Sequence, residues 1–269
     1  MSARSLPLAT ARIIAAVEDG VGWITFNNPE RRNAMSLEMW KGLGDAAEAF
    51  QQDPEVRVVV MRGAGGKSFA AGADISEFEQ HRANAEQKKS YGDIAARAHI
   101  GISQLGKPLI AMIEGFCIGG GLALALGADV RFASTGSSFG IPAARLGLGY
   151  DYDGLAALAR VVGPSAAKDM LFSARFLAAD EALRIGLVNF TVDGADLEER
   201  VRAYAAVVAA NAPLTVLAAK SAVRLFEQYS AAADAREVAA AVDRCFDSED
   251  YKEGRSAFLE KRKPQFHGR

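Results

Sequence analysis

Residues 107–133, KPLIAMIEGFCIGGGLALALGADVRFA, constrain the fold more than any other stretch of the chain. They read as a buried strand at 109–113, a turn at 114–118, the triplet Gly119-Gly120-Gly121 and the start of an apolar helix. Glycines that open a helix leave main-chain N–H groups uncovered by side chains, which is a way of holding negative charge with the backbone. The segment also lacks something. One turn into the helix, where an acid or base would serve a reaction, the chain has Leu122 and Ala123.

On the N-terminal side, β-type runs at 13–17 and 21–26 flank Glu18-Asp19-Gly20 and predict a hairpin that Asn27-Asn28-Pro29 ends. Ser36 is a candidate N-cap, with Glu38 in the first turn. Leu37, Trp40, Leu43, Ala47 and Phe50 then follow a helical period as far as Asp53-Pro54. Residues 56–61 are almost continuously apolar and β-branched, as in a strand buried on both faces. Residues 62–73 read as a glycine-rich loop, and 76–105 as mostly polar helix. Short strands are expected at 130–133 and 138–141, and a loop at 145–154. From Leu155 the chain reads as nearly all helix, with Pro213 between two alanine-rich segments. Ser248 is expected to cap a last helix, acidic at its start and basic at Lys261-Arg262-Lys263, an order that suits the helix dipole. This alternation predicts an α/β fold. It divides into a flexible leader at 1–11, a core at 12–200 and a helical C-terminal segment at 201–269 suited to oligomerisation.

Half of the residues are hydrophobic, the formal net charge is −2 and the pI is near 6.0. A sizeable core is therefore possible, and nothing in the charge favours a nucleic-acid partner. No apolar run reaches the ~18 residues of a membrane helix. Cys117 and Cys245 lack metal-ligand spacing, so no metal is expected. They suit a reducing compartment, taken as the cytoplasm. Arg4 and Arg12, without an acid among the first seventeen residues, faintly resemble an organellar presequence, although a disordered leader is the simpler expectation.

A second loop shares the design of the first. Ser68-Phe69-Ala70-Ala71-Gly72-Ala73-Asp74-Ile75 follows a predicted strand and offers N–H groups among small side chains. Either loop alone suits a tight strand–helix connection. Two such donors converging on one point make an oxyanion hole.

The combination resembles the crotonase, or enoyl-CoA hydratase/isomerase, superfamily. The resemblance runs from about Ile13 to Phe266. It is carried by Asn28-Pro29 with Asn33-Ala34-Met35, by 69–75, by Ile113-Glu114-Gly115 leading to Gly119-Gly120-Gly121 with Ala128-Asp129, and by Phe139-Gly140-Ile141-Pro142. Residues 182–188 and 256–266 add to it. It implies a spiral of strand–strand–helix turns, capped by helices that form homotrimers or hexamers. It implies an acyl-CoA thioester as substrate, the coenzyme A entering as part of that substrate and no separate cofactor. By position, the N–H groups of Ala73 and Gly120 would hold the thioester oxygen as an enolate forms. Ala70, Ala71, Gly72, Asp74, Ile75 and Gly119 would lie along the coenzyme. Lys261 would either meet its phosphates or end a solvated helix. Asp74 is also expected to fix its loop through N–H contacts, and Glu114 and Asp129 to be structural.

The chain departs from that pattern at two places. Hydratases of the family place one glutamate where this chain has Ala123 and the other where it has Ala143. Water addition needs one group to activate water and another to deliver the α-proton, and alanine does neither. What remains is the loop Gly149-Tyr150-Asp151-Tyr152-Asp153-Gly154. Asp151 falls where dienoyl-CoA isomerases and related dehalogenases carry an aspartate. Tyr150 falls near the tyrosine of methylmalonyl-CoA decarboxylases, which 247–264 also resembles. Those decarboxylases have histidine at the position of Ala73 and an acid at that of Ala123, so that resemblance is partial. The aspartates would otherwise cap the following helix, and the tyrosines would pack. An aspartate in an apolar pocket would have its pKa raised. His81 either faces the pocket or, more simply, solvent. The reading favoured is an isomerase or lyase using Asp151, with a decarboxylase of a branched malonyl-CoA using Tyr150, or an acyl-CoA-binding protein without catalysis, as the alternatives.

Overall fold

The computed structural model describes residues 3–77, 85–229, 243 and 246–265. His81, Cys245 and Phe266 lie outside the described residues. Eleven strands, β1 (Arg4–Leu6), β2 (Ile13–Glu18), β3 (Val21–Phe26), β4 (Val58–Gly63), β5 (Ser68–Ala70), β6 (Leu109–Ile113), β7 (Phe116–Ile118), β8 (Val130–Ser134), β9 (Ser138–Gly140), β10 (Leu177–Ala178) and β11 (Phe190–Val192), are described. The described helices are α1 (Leu37–Gln52), α2 (Ala85–Ser103), α3 (Gly120–Leu126), α4 (Tyr152–Ser173, broken at Gly163-Pro164), α5 (Ala179–Arg184), α6 (Leu197–Ala210), α7 (Pro213–Tyr229) and α8 (Glu249–Leu259).

One sheet has the order β1-β2-β3-β4-β6-β8-β11 and a second has β10-β9-β7-β5. Strands β4, β6 and β8 pair in parallel in the first, and β5, β7 and β9 in the second. Each of β4, β6 and β8 is thus followed at once by a strand of the small sheet and then by a helix. The pattern recurs three times, ending in α2, α3 and α4, and this is the spiral α/β architecture expected above.

The predicted hairpin is β2–β3, turned by Asp19 and Gly20. Ser36 caps α1, its side chain accepting from the Met39 N–H at 3.2 Å. Ser248 caps α8 in the same way at 3.0 Å from the Tyr251 N–H. The apolar run in β4 is explained by burial on both faces. Val59 and Met61 point into one cluster with Phe26, Phe50 and Phe69. Val58 and Val60 point into another with Trp23, Phe132 and Val201 of α6.

Five short strands depart from expectation. β1 lies in the stretch 1–11 expected to be a flexible leader and pairs antiparallel with β2, β5 lies in the predicted loop at 62–73, β7 in the predicted turn at 114–118, and β10 and β11 in the stretch expected to be helical. Each has two or three residues, too few for a period of two to show. The pairing of the last four is imposed by the neighbouring turn of the spiral. The structure also starts α4 at Tyr152, inside the expected loop at 145–154.

Asp129 and Lys220 tie two regions together. The Asp129 carboxylate accepts from the Leu109 N–H and from Lys220 Nζ, both at 2.7 Å. Asp129 is therefore structural, as expected, and joins α7 to the start of β6.

The α1–α2 contact holds a titrating group. The half-buried His99 ring of α2 lies 5.0 Å from the ring of Trp40 on α1. Burial lowers its pKa from 6.5 to about 4. The folded protein therefore holds His99 neutral while the unfolded chain takes up a proton between those values. Stability from this source is highest above pH 6.5 and falls as the pH drops towards 4, by about 2 kcal/mol for a ring that water reaches at one edge. Urea midpoints at pH 7.5 and 4.5 check it. The drop on acidification is expected to shrink in His99→Gln, and an equal drop in both proteins would refute the assignment.

Candidate active site

Residues 28–37 form the frame for one loop. Asn33, buried and in the left-handed region, donates through Nδ2 to the Ser68 and Ala64 carbonyls at 2.7 and 3.0 Å, and its Oδ1 accepts from the Asn28 N–H at 2.9 Å. Next to it, the Ala71 N–H donates to the Arg32 carbonyl at 3.0 Å. Met35 brackets Ala73: its N–H donates to the Gly72 carbonyl at 2.7 Å, and its carbonyl accepts from the Asp74 N–H at 3.0 Å. Such a bridge uses the groups on either side of Ala73 and leaves the Ala73 N–H out of it.

Asp74 is buried and fixes the loop, as expected. Its carboxylate accepts from the Ser76 N–H at 3.1 Å and the Ser76 hydroxyl at 2.6 Å, and pairs with Arg31 at 3.0 Å. Glu77 caps α1 through the Leu37 N–H at 2.8 Å. Ala70 is buried at the end of β5, Gly72 is buried beside it, and Ile75 opens the single turn Ile75–Glu77.

The second loop meets the first edge to edge. Gly119, with φ 55° and ψ −120°, turns the chain from β7 into α3 in a conformation that only glycine adopts readily. Gly120 is the first residue of α3, where an N–H has no acceptor within the helix. A Cβ placed on Gly120 would lie 3.7 Å from the Ala73 nitrogen, and one on Gly72 would lie 3.8 Å from the Gly120 nitrogen. The two N–H groups named from the sequence therefore come together. Neutral main-chain donors at a helix start are suited to holding one developing negative charge.

The chain then closes over this point. Tyr150 is half-buried, and its hydroxyl oxygen lies 3.3 Å from where a Cβ on Gly119 would stand. Asp151 occupies the N-cap position of α4, exposed, and its side chain makes no capping bond. The structure thus exposes Asp151 to solvent instead of enclosing it in an apolar pocket. Asp153 is exposed in the first turn of α4 and Tyr152 is half-buried. Ala123 is half-buried and Ala143 buried, so neither former glutamate position presents a polar side chain. Lys261 is exposed in the turn that ends α8. Cys117 is a free, fully buried thiol whose pKa burial pushes up, which makes it a core side chain.

Helix α8 supports the Tyr150 loop from behind. A Cβ on Gly254 would stand 2.3 Å from the Leu146 carbonyl oxygen, and one on Gly147 would stand 2.7 Å from that of Asp250. This contact had no signal in the sequence. Neither did Arg31, nor Trp40 and Tyr91, which underlie the site. Arg31 lies between the Asn28-Pro29 and Asn33–Met35 pieces that the family resemblance singled out, and their nearness was the available pointer.

The model of the enoyl-CoA hydratase/isomerase family matches residues 16–269. The chain belongs to that family. As a family member it is an enzyme of acyl-CoA metabolism. The short-chain-enoyl-CoA hydratase of Clostridium acetobutylicum is 36% identical to it over 251 residues, 93% of this chain and 95% of that protein. An enoyl-CoA hydratase/carnithine racemase from Magnetospirillum magneticum superposes with a TM-score of 0.80 at 38% identity, and the match covers 97% of each chain. A methylmalonyl-CoA decarboxylase in complex with 2-nitronate-propionyl-CoA gives a TM-score of 0.88 at 30% identity, covering 97% of this chain and 100% of that one. Family membership fits the spiral and the paired glycine loops described above. It leaves the reaction to the residues around them.

Proposed function

We propose that this family member is a lyase that forms a thioester enolate by losing a group from Cα, and that decarboxylation of a branched malonyl-CoA is the reaction. The observation that carries this is the Tyr150 hydroxyl beside the Gly119 turn, with alanine at 123 and 143 and Asp151 exposed. Hydration and isomerisation both need a placed base. Decarboxylation needs none, because the C–C bond to the carboxylate supplies the electron pair that becomes the enolate. The Ala73 and Gly120 N–H groups stabilise its oxygen, the phenol donates a hydrogen bond that orients the departing carboxylate, and Cα then takes a proton from water. The likeness to a methylmalonyl-CoA decarboxylase supports the same chemistry. Coenzyme A enters as part of the substrate, and no other cofactor is assigned.

Incubation with methylmalonyl-CoA is expected to release CO₂ and yield propionyl-CoA. Tyr150→Phe is expected to lower kcat about 10- to 100-fold, the effect of removing one hydrogen bond to a charged group. Absence of CO₂ would remove the proposal. A double-bond shift in an enoyl- or dienoyl-CoA, lost in Asp151→Asn, would move the reaction to isomerisation with Asp151. Acyl-CoA binding without any turnover would leave a binding protein. Assembly into homotrimers or hexamers belongs to the same proposal. It is supported by Val207, Leu214 and Val223 of α6 and α7, which are 64%, 79% and 58% exposed in the single chain. The free thiol of Cys117 suits a reducing compartment such as the cytoplasm.

A further inference from the structure

The two donors of the oxyanion site come from loops distant in sequence, yet one buried unit touches the supports of both. Trp40 of α1 is buried, and its Cζ2 lies 3.8 Å from where a Cβ on Gly120 would stand, so the indole packs directly on that backbone. Its Nε1–H donates to the Tyr91 hydroxyl of α2 at 2.9 Å. That hydroxyl in turn reaches the Met35 carbonyl at 3.5 Å. Met35 is the residue whose N–H and carbonyl clamp the chain on either side of Ala73.

We infer that Trp40 and Tyr91 are positioning residues that set the separation of the Ala73 and Gly120 N–H groups. Neither is within the loops themselves. Both act through the main chain they pack on or bond to. An oxyanion hole depends on such support, because its donors stabilise charge only when both point at one oxygen. The bond at 2.9 Å fixes the indole against α2, and its Cζ2 edge packs where Gly120 approaches Ala73. Removing the phenol oxygen takes the acceptor from the indole N–H and one donor from the Met35 carbonyl, which keeps its bond from the Asp74 N–H. It leaves the aromatic packing of α1 on α2 in place.

This inference rests on the oxyanion role of the two loops, and the test separates the two. The probe is butyryl-CoA labelled with carbon-13 at the thioester carbonyl, a saturated thioester with no carboxylate to lose, followed by difference infrared spectroscopy. In the wild-type protein its carbonyl band is expected to move to lower wavenumber on binding, as two donors polarise it. In Tyr91→Phe the band is expected to move back towards its free position, with butyryl-CoA affinity within twofold of wild type. With the substrate proposed above, kcat is expected to fall about fivefold at unchanged KM. Trp40→Phe provides a second variant that keeps an aromatic ring and loses the same bond, and it is expected to show the same band shift. No shift in the wild type would overturn the oxyanion role itself. A wild-type shift retained in full by both variants would overturn the positioning role alone.

Discussion

Gly120→Pro is expected to lower turnover about 100- to 1,000-fold in a protein that still folds. Proline is well tolerated at the first position of a helix, because the N–H it removes has no helical acceptor. The preceding Gly119, at φ 55° and ψ −120°, holds the mirror image of the extended conformation that proline favours before it. The substitution therefore deletes one donor and fills its place with the ring, at little cost to the helix. Losing one oxyanion donor costs about 3 kcal/mol of transition-state stabilisation. Gly120→Ala is the matched control. Its Cβ would make ordinary contacts at 3.7 to 3.9 Å and the N–H would remain, so most of the activity is expected to survive. Steady-state kinetics of the two variants, with circular dichroism to verify folding, decide the matter. Equal activities would show that the Gly120 N–H holds no charge.

Gly121→Ala is expected to act on the fold instead. A Cβ there would stand 2.1 Å from the Ala70 carbonyl oxygen and 2.7 Å from its carbon. Both are backbone atoms of β5, so no side-chain rotation relieves the clash. The small sheet and α3 would have to separate. At least about 3 kcal/mol of stability should be lost, which for a chain of this size lowers the melting temperature by about 10 °C. Thermal unfolding followed by circular dichroism measures it. A melting temperature within about 2 °C of wild type would mean that the approach of α3 to β5 is looser than described. The adjacent glycines thus divide the work. Substitution at 120 reports on chemistry, and substitution at 121 reports on packing.

The contrast shows what the sequence could and could not convey. Residues whose signal is local were legible: Ser36 and Ser248 as caps, Asp19-Gly20 as a hairpin turn, and 58–61 as a strand buried on two faces. Three of the four strands of the small sheet were not, because Ser68–Ala70, Phe116–Ile118 and Leu177–Ala178 are shorter than any readable period and exist only through their neighbours. At the site, each glycine loop was visible as a possible donor, but their convergence came from resemblance to a family. Of the neighbours Tyr150 and Asp151 the sequence favoured Asp151, whereas the start of α4 sends the Tyr150 hydroxyl towards Gly119 and leaves Asp151 exposed. Trp40 read only as part of a helical period and Tyr91 was not singled out within a mostly polar helix, since nothing local reveals a hydrogen bond across two helices. Long-range contacts of this kind are specified by the whole packing arrangement and carry no motif of their own.

Helix α8 bears on how the molecule is made. The two glycine loops proposed as the oxyanion site lie before residue 127, with the Gly140 carbonyl accepting from the Gly119 N–H, whereas the loop carrying Tyr150 rests on Asp250 and Gly254. On a ribosome, the anion-holding half of the site emerges well before the segment that braces its tyrosine. Domains take shape as their residues become available during synthesis. A growing chain can therefore present its two N–H donors at a stage when the phenol above them still lacks its support. Activity that depends on Tyr150 then starts only once the downstream helix has docked.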